Sequence, residues 1–196
     1  MTDAASKSAP VGLVLAAGEG RRFGGPKAPA LVDGERLVDR AVRVLRDGGC
    51  DPVHVVLGAW VGGVPGAEVI VNPDWAEGMG SSLRAGLTAI ARDRRRAGGA
   101  APLGDLDRVV VTLVDLPGLT SDAVARLVAS PARLAQAAYA GERGHPVVFG
   151  SEHLAGVASS AAGDRGARDY MREHADEIAL IEVGDVATGE DLDVPR

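Results

Sequence analysis

The sequence predicts an α/β domain with a mostly parallel sheet flanked by helices. Two observations carry that prediction. Short apolar runs rich in β-branched residues alternate with segments of helical periodicity along the chain, which is the signature of strand–helix–strand units. Three polar features, residues 18–27, residues 75–83 and Asp115, each follow a strand-like run. Open α/β sheets bind ligands beyond the carboxyl ends of their strands, where these features fall.

Residues 11–15 (VGLVL) read as the first strand, running into the loop AAGEGRRFGGPK. In ERLVDRAVRVLRD at 35–47, Leu37, Ala41, Val44 and Leu45 stand at helical spacing and Gly48-Gly49 stops the helix. PVHVVLG at 52–58 and AEVIV at 67–71 are strands, and Asn72-Pro73-Asp74 is a turn. The loop at 75–83 opens a helix reaching about Arg96, and DRVVVTLV at 107–114 is the clearest buried strand. Ser121-Asp122 can cap a helix through about Ser130. Strands at 133–140 and 145–149 flank a Gly-Glu-Arg-Gly turn, and short helices cover 151–157 and 167–174. A last strand at 178–183 precedes an acidic tail.

Composition bounds the class. At 196 residues one domain is expected, 11–196 behind a flexible polar tail at 1–10, long enough to bury a core without staples. Aromatics are 3% of residues, so the core is built from Val, Leu, Ala and Ile. A net charge of −6 argues against a nucleic-acid partner, which needs a basic face. The single Cys50 excludes an internal disulfide and suits a reducing compartment. MTDAASKSAP has no signal-peptide apolar region, and no run approaches the roughly 20 apolar residues of a membrane span. A cytoplasmic protein without a membrane partner is expected.

The first loop carries the sharpest chemistry. Glycines let backbone N–H groups approach an anion, and Arg or Lys supplies countercharge. It is not a Walker A loop, because Ala28 follows Lys27 where Ser or Thr belongs. It is a poor dinucleotide fingerprint, because Phe23 replaces the third glycine and Pro26 interrupts the helix due there. A nucleoside triphosphate cradle using Arg22 and Lys27 remains, against the plainer alternative of a glycine turn with solvated charges.

Asp115 closes the buried strand, where a carboxylate is costly unless paired or holding a cation. Mg²⁺ is typically held by one or two carboxylates plus phosphate oxygens. Asp191-Leu192-Asp193 offers the second carboxylate, with a disordered acidic tail as its rival. Ser81 and Ser82 can cap their helix and still aim hydroxyls at a base or ribose, while Trp75 packs beneath that loop. No spacing among His54, His145, His153 and His174 resembles a zinc site. The basic cluster at 92–96 is a solvated helix end, and Cys50 is inert.

LAAG at 15–18, then Glu19-Gly20-Arg21-Arg22-Phe23-Gly24 and Lys27, resembles the LAAGxSxRFGxxK signature of MobA-like nucleotidyltransferases. Within that group it looks most like the molybdenum cofactor cytidylyltransferases. NPDWAEGMGSSLRAGL at 72–87, LVDLPGLT at 113–120, GHPVVF at 144–149, GDRGAR at 163–168 and DLDVP at 191–195 are similar to the family's later blocks, in order. The resemblance implies a Rossmann-like, glycosyltransferase-A-type sheet and Mg²⁺-dependent nucleotidyl transfer. The expected partners are an NTP, a phosphorylated small-molecule acceptor such as molybdopterin cofactor, and a molybdoenzyme. CTP is favoured over GTP, because guanylyl-type relatives carry LAGG in the first motif and GPL in the second block.

Matched by position, Leu15, Ala16, Ala17, Gly18, Glu19 and Gly20 lie at the nucleotide, with Gly80, Ser81 and Ser82 near the base and His145 at the substrate. Arg22 and Lys27 hold the triphosphate, Asp115 and Asp193 hold the metal, and Lys27, Arg22 and Asp115 form the catalytic set. Departures from the pattern are Gly20 for a small hydroxyl residue, Gly80 for a serine, and Ala-Pro-Ala after Lys27. The expected chemistry is in-line attack by an acceptor phosphate oxygen on the α-phosphorus, releasing pyrophosphate. Two rivals stand beside it: an NAD(P)H-dependent oxidoreductase of the nicotine blue oxidoreductase type on the same fold, and a non-catalytic cofactor-binding accessory protein.

Overall fold

Strand β1 (Val11–Leu15) is buried at every residue, as a parallel strand covered on both faces must be. Val11, Leu13 and Leu15 pack into one half of the core and Val14 into the other, the period-two alternation of a strand. The computed structural model describes residues 9–96 and 107–193, without the side chains of 95 and 96. Most of the predicted N-terminal tail, part of the basic cluster and the last two residues of the DLDVP block lie outside it.

A hairpin not expected from the sequence follows the first loop, formed by β2 (Leu31–Val32) and β3 (Glu35–Arg36). Asp33 and Gly34 close it at φ 53° and 81°, the conformation a two-residue Asp-Gly turn favours. Glu35 and Arg36 pair with Val32 and Leu31, so helix α1 (Leu37–Asp47) starts later than its periodicity suggested.

Next come β4 (Val53–Leu57), β5 (Glu68–Val71), α2 (Met79–Arg96), β6 (Arg108–Leu113) and α3 (Ser121–Ala129). The N-cap of α3 is Thr120, whose hydroxyl accepts the Ala123 N–H at 3.2 Å; Ser121 and Asp122 lie inside the helix. Strands β7 (Leu134–Tyr139) and β8 (Glu142–Gly150) turn at Ala140-Gly141, not at Gly-Glu-Arg-Gly. The pairs Ala138↔Arg143 and Tyr139↔Glu142 carry the ladder through the expected turn. The Glu182 carboxylate accepts the N–H groups of Ala140 and Gly141, both at 2.9 Å, which holds alanine at its positive φ of 53°. Helices α4 (Ser151–Ser160) and α5 (Arg168–Glu173) and strand β9 (Ala179–Glu182) complete the order.

The seven-stranded sheet runs β5-β4-β1-β6-β8-β7-β9, and β8 alone is antiparallel to its neighbours. Helices α1 and α3 cover one face, and α2, α4 and α5 the other. The chain leaves β1 towards β4 and β5, then returns across to β6. The crevice between the carboxyl ends of β1 and β6 is therefore the topological switch point, where such sheets bind ligands.

Charges at the opposite end of the sheet are structural. Arg108, 7% exposed, donates to the carbonyls of Ser130 and Val128 at 2.6 and 3.0 Å, satisfying the end of α3. Cys50 is buried, which pushes its thiol up to about 12; a thiol so desolvated is unreactive. No described helix is long and apolar enough to cross a membrane.

Candidate functional site

The loop after β1 divides into two halves. Phe23, Gly24 and Gly25 all donate their N–H groups to the Gly20 carbonyl, at 2.9, 2.9 and 3.2 Å, so these donors are consumed locally. The turn needs glycine: Gly20 has φ +63°, and a Cβ there would lie 2.0 Å from the Gly25 carbonyl oxygen. The N–H groups of residues 17–22 donate to no other described residue. The donors left open to an anion are therefore those of the arc holding Ala17, Gly18, Glu19 and Gly20, less of the loop than its glycine content suggested. Arg21 pairs with Glu19 within the loop, whereas Arg22 is 84% exposed and reaches Asp193 at 3.3 Å.

The second half is a platform for Lys27. Helix α1 has no side-chain cap. Its first donors, Leu37 and Val38, go instead to the carbonyls of Ala30 and Ala28 at 2.8 and 3.2 Å, answering the orphan donors of a helix start. Ala28 is buried, so the lysine stands on fixed backbone. Its Nζ lies 2.8 Å from Asp115 Oδ2 and 3.3 Å from Asp193 Oδ1. Burial on its own would depress this ammonium, but hydrogen bonds and charge from Asp115 and Asp193 outweigh it and hold the pKa above the ordinary lysine value.

Asp115 is placed by the sheet, since Val114 donates to the Leu15 carbonyl at 3.1 Å. The described part of the acidic tail, up to Asp193, lies as a strap over it. Leu192, buried, donates to the Asp115 carbonyl at 2.9 Å, and Thr188 donates to Gly118 at 3.1 Å. A Cβ on Gly118 would meet the Thr188 hydroxyl at 1.9 Å, so the close approach requires glycine. The strap also brings in Asp191. Burial, then the charges of Asp115 and Asp193, raise its carboxyl above the usual range. Three carboxylates thus face two cations, Lys27 and Arg22. The lysine ammonium occupies the position of a cation shared by Asp115 and Asp193, and the all-oxygen donor set suits a hard divalent ion.

The loop at 72–83 is built differently from expectation. The Asn72 amide, buried, donates to Ser81 and Ser82 Oγ at 2.9 and 3.1 Å and accepts the Asp74 N–H at 3.0 Å. The Ser81 hydroxyl has carbonyl acceptors on Asp74 and Gly78, at 2.8 and 2.9 Å. Both serines are 4% exposed and lie within the first turn of α2. They neither cap the helix nor present hydroxyls to a ligand; they hold the loop. Gly80 is set by packing, since a Cβ there would lie 2.5 Å from the Ala162 nitrogen. Trp75 packs under the loop as expected, against Gly58 and one half of the core. Asn72→Ala strands several of these buried groups and is expected to cost about 1–3 kcal/mol, read as a lower midpoint in chemical denaturation.

His145 arrives on the reversed strand. With Val147 opposite Val111, the start of β8 lies beside the carboxyl end of β6. Burial lowers the His145 imidazole to about 4, the Asp115 charge opposing the change and the Arg168 charge reinforcing it, so it is neutral at neutral pH. Arg168, the first residue of α5, was not singled out by the sequence as a site residue; its place in the GDRGAR block was the signal.

Residues 12–178 match the model of the MobA-like NTP transferase domain. Nicotine blue oxidoreductase from Paenarthrobacter nicotinovorans is 38% identical over 198 residues, spanning 93% of this chain and 91% of that one. A probable molybdenum cofactor guanylyltransferase from Opitutus terrae is 52% identical over 52 residues, 26% of either chain. Among solved structures, a homologue of Mycobacterium tuberculosis Rv0371c from Mycobacterium sp. strain JC1 matches with a TM-score of 0.77 at 28% identity, over 96% of this chain and 92% of its own.

Proposed function

The chain belongs to the MobA-like NTP transferase family, and on that premise we propose that it transfers a nucleoside monophosphate, CMP in preference to GMP, from an NTP to a phosphorylated acceptor of the molybdopterin type. The observation that carries this is the Lys27 ammonium lying between Asp115 and Asp193 at the switch point. Asp115 and Asp193 would hold Mg²⁺, which supplies positive charge to phosphate oxygens during transfer. The arc 17–22 and Arg22 receive the triphosphate. Lys27 leaves the carboxylates for the α-phosphate and stabilises the charge that builds there. An acceptor phosphate oxygen bonds to the α-phosphorus as the bond to the pyrophosphate oxygen breaks. The attacking oxygen is already ionised, so no general base is required. Neutral His145 orients the acceptor and Arg168 balances its charge.

The base preference rests on Ala17, where guanylyl-type relatives carry glycine. Its methyl is 5% exposed at the root of the loop. Removing it lets the backbone settle and widens the space for a base, so Ala17→Gly is expected to raise GTP use relative to CTP about tenfold, the usual worth of one methyl group in a pocket. Pyrophosphate release from MgCTP and MgGTP, with and without molybdopterin, tests both statements. Acceptor-dependent release from CTP supports the proposal, and no release from either nucleotide overturns it.

The full-length likeness to nicotine blue oxidoreductase supports a second reading, NAD(P)H-dependent reduction on this scaffold. Against it, a dinucleotide pyrophosphate rests on the N-terminus of the helix directly following the first strand. Here residues 16–36 separate β1 from α1, and the first donors of α1 are already taken. Thermal shift with MgCTP, MgGTP, NADH and NADPH separates the readings, because a ligand stabilises the state that binds it. Stabilisation by NADPH alone, with its oxidation on substrate, would favour reduction.

A further inference from the structure

We infer that His153, His174 and Glu177 form a second cation site, suited to Zn²⁺ and separate from the carboxylates at the switch point. Sequence spacing gave no hint of it, because His153 stands on a different helix, far along the chain from the local pair His174 and Glu177. His153 lies in the first turn of α4, His174 directly follows α5, and Glu177 ends the short 3₁₀ turn Ala175–Glu177. The fold brings one ligand atom from each to within 4.8 Å of the others. Bonds of 2.0–2.1 Å place the ligands of tetrahedral zinc about 3.3 Å apart, so modest side-chain rotation closes the site.

The two imidazoles are held by their surroundings, while the Glu177 carboxylate is exposed beside them. His153 is 7% exposed, and its Nδ1 lies 2.9 Å from the Tyr170 hydroxyl oxygen. With Nδ1–H donated to that oxygen, the Nε2 lone pair is left for a metal, which is how a ligating imidazole is normally oriented. The Tyr170 ring stacks on His174 at 4.2 Å, fixing the second imidazole, and His174 Nδ1 lies 2.7 Å from Glu177 Oε1. Ring packing alone accounts for the stacking, but it does not require a carboxylate to meet two imidazoles. Two nitrogens and one oxygen, with a fourth position for water, suit zinc or cobalt, whereas Mg²⁺ prefers an all-oxygen shell. The two sites would therefore sort their ions. A cation here ties α4 to the end of α5, and Arg168 stands at the other end of that helix, about 9 Å away at 1.5 Å per residue.

The test uses full-length Asp115→Asn protein, so that the switch-point carboxylates are no longer a matched pair, titrated with Co²⁺ and then Zn²⁺. One Co²⁺ per chain with the visible absorption of a low-coordinate nitrogen–oxygen site, displaced by Zn²⁺, is expected. His174→Ala or Glu177→Gln, added to that background, should weaken Co²⁺ binding at least tenfold. Both variants should melt in EDTA as their parent does and lose the Zn²⁺-dependent rise in melting temperature. Absence of the absorption, or Co²⁺ affinity changed less than tenfold by both substitutions, overturns the inference.

Discussion

Asp115→Asn is expected to lower the rate of nucleotidyl transfer by about 10²–10³-fold, the scale on which removing one electrostatic contact of a reacting centre acts, with the fold retained. The amide keeps the shape of the carboxylate, and the carbonyl of residue 115 still accepts from Leu192, but the side chain gives up the charge that would hold a divalent ion. Lys27 keeps Asp193 as a partner, and the oxygen of the new amide can still accept from the ammonium, so the fold is retained. Pyrophosphate release and a circular-dichroism melt measure the two halves. Transfer within tenfold of the parent, still dependent on Mg²⁺, would remove Asp115 from the reaction.

Lys27→Ala is expected to cost about 10²–10³-fold in kcat/KM, and Lys27→Arg should restore little of it, since a planar fork does not replace a point charge between two carboxylates. The same alanine should do something a merely damaged site would not. Without the ammonium, only the exposed Arg22 opposes the mutual repulsion of Asp115, Asp191 and Asp193, so Mg²⁺ or Mn²⁺ should bind the nucleotide-free protein more tightly, by about tenfold for roughly 1.4 kcal/mol of relieved competition. Calorimetry without nucleotide reads this directly; equal or weaker cation binding would mean that Lys27 does not occupy the cation's place. The pH dependence has a definite sign. The lysine pKa is raised on folding, so the stability its ion pairs lend is present in full below the unfolded value. It is lost only as pH rises through the raised folded value.

The sequence made legible what depends on burial and strand ends. Val11–Leu15 and Arg108–Leu113 are apolar runs covered on both faces; Asp115 stands out as a charge at the mouth of such a run, and Lys27 as countercharge in the glycine-rich loop. Contacts between distant segments could not be read. Ser81 and Ser82 turned inward because Asn72, on the preceding turn, needed acceptors for a buried amide. Ala140 took a turn position that a sequence reading gives to glycine, because Glu182 from another strand satisfies its N–H. His153 and His174 read as separate polar residues until α4 and α5 packed together.

The strap from Val183 to Asp193 has one more consequence. It is held by single backbone bonds at Val183, Thr188 and Leu192, by the side-chain pairs of Asp185 with Arg126 and of Asp193 with Lys27 and Arg22, and by the buried side chains of Val183, Ala187 and Leu192, with no ladder of its own. Segments held in this way open at a lower free energy than the sheet beneath them. Asp193 lies beside Asp115 only while the strap is down, so a cation held by the two would bind with an apparent affinity scaled by the closed fraction. On the proposed metal site, cation occupancy and strap closure would be one linked equilibrium, and each bound ion would draw the population towards the closed form. A substitution at Thr188 or Leu192 that touches neither nucleotide nor metal would still register as a change in apparent metal affinity.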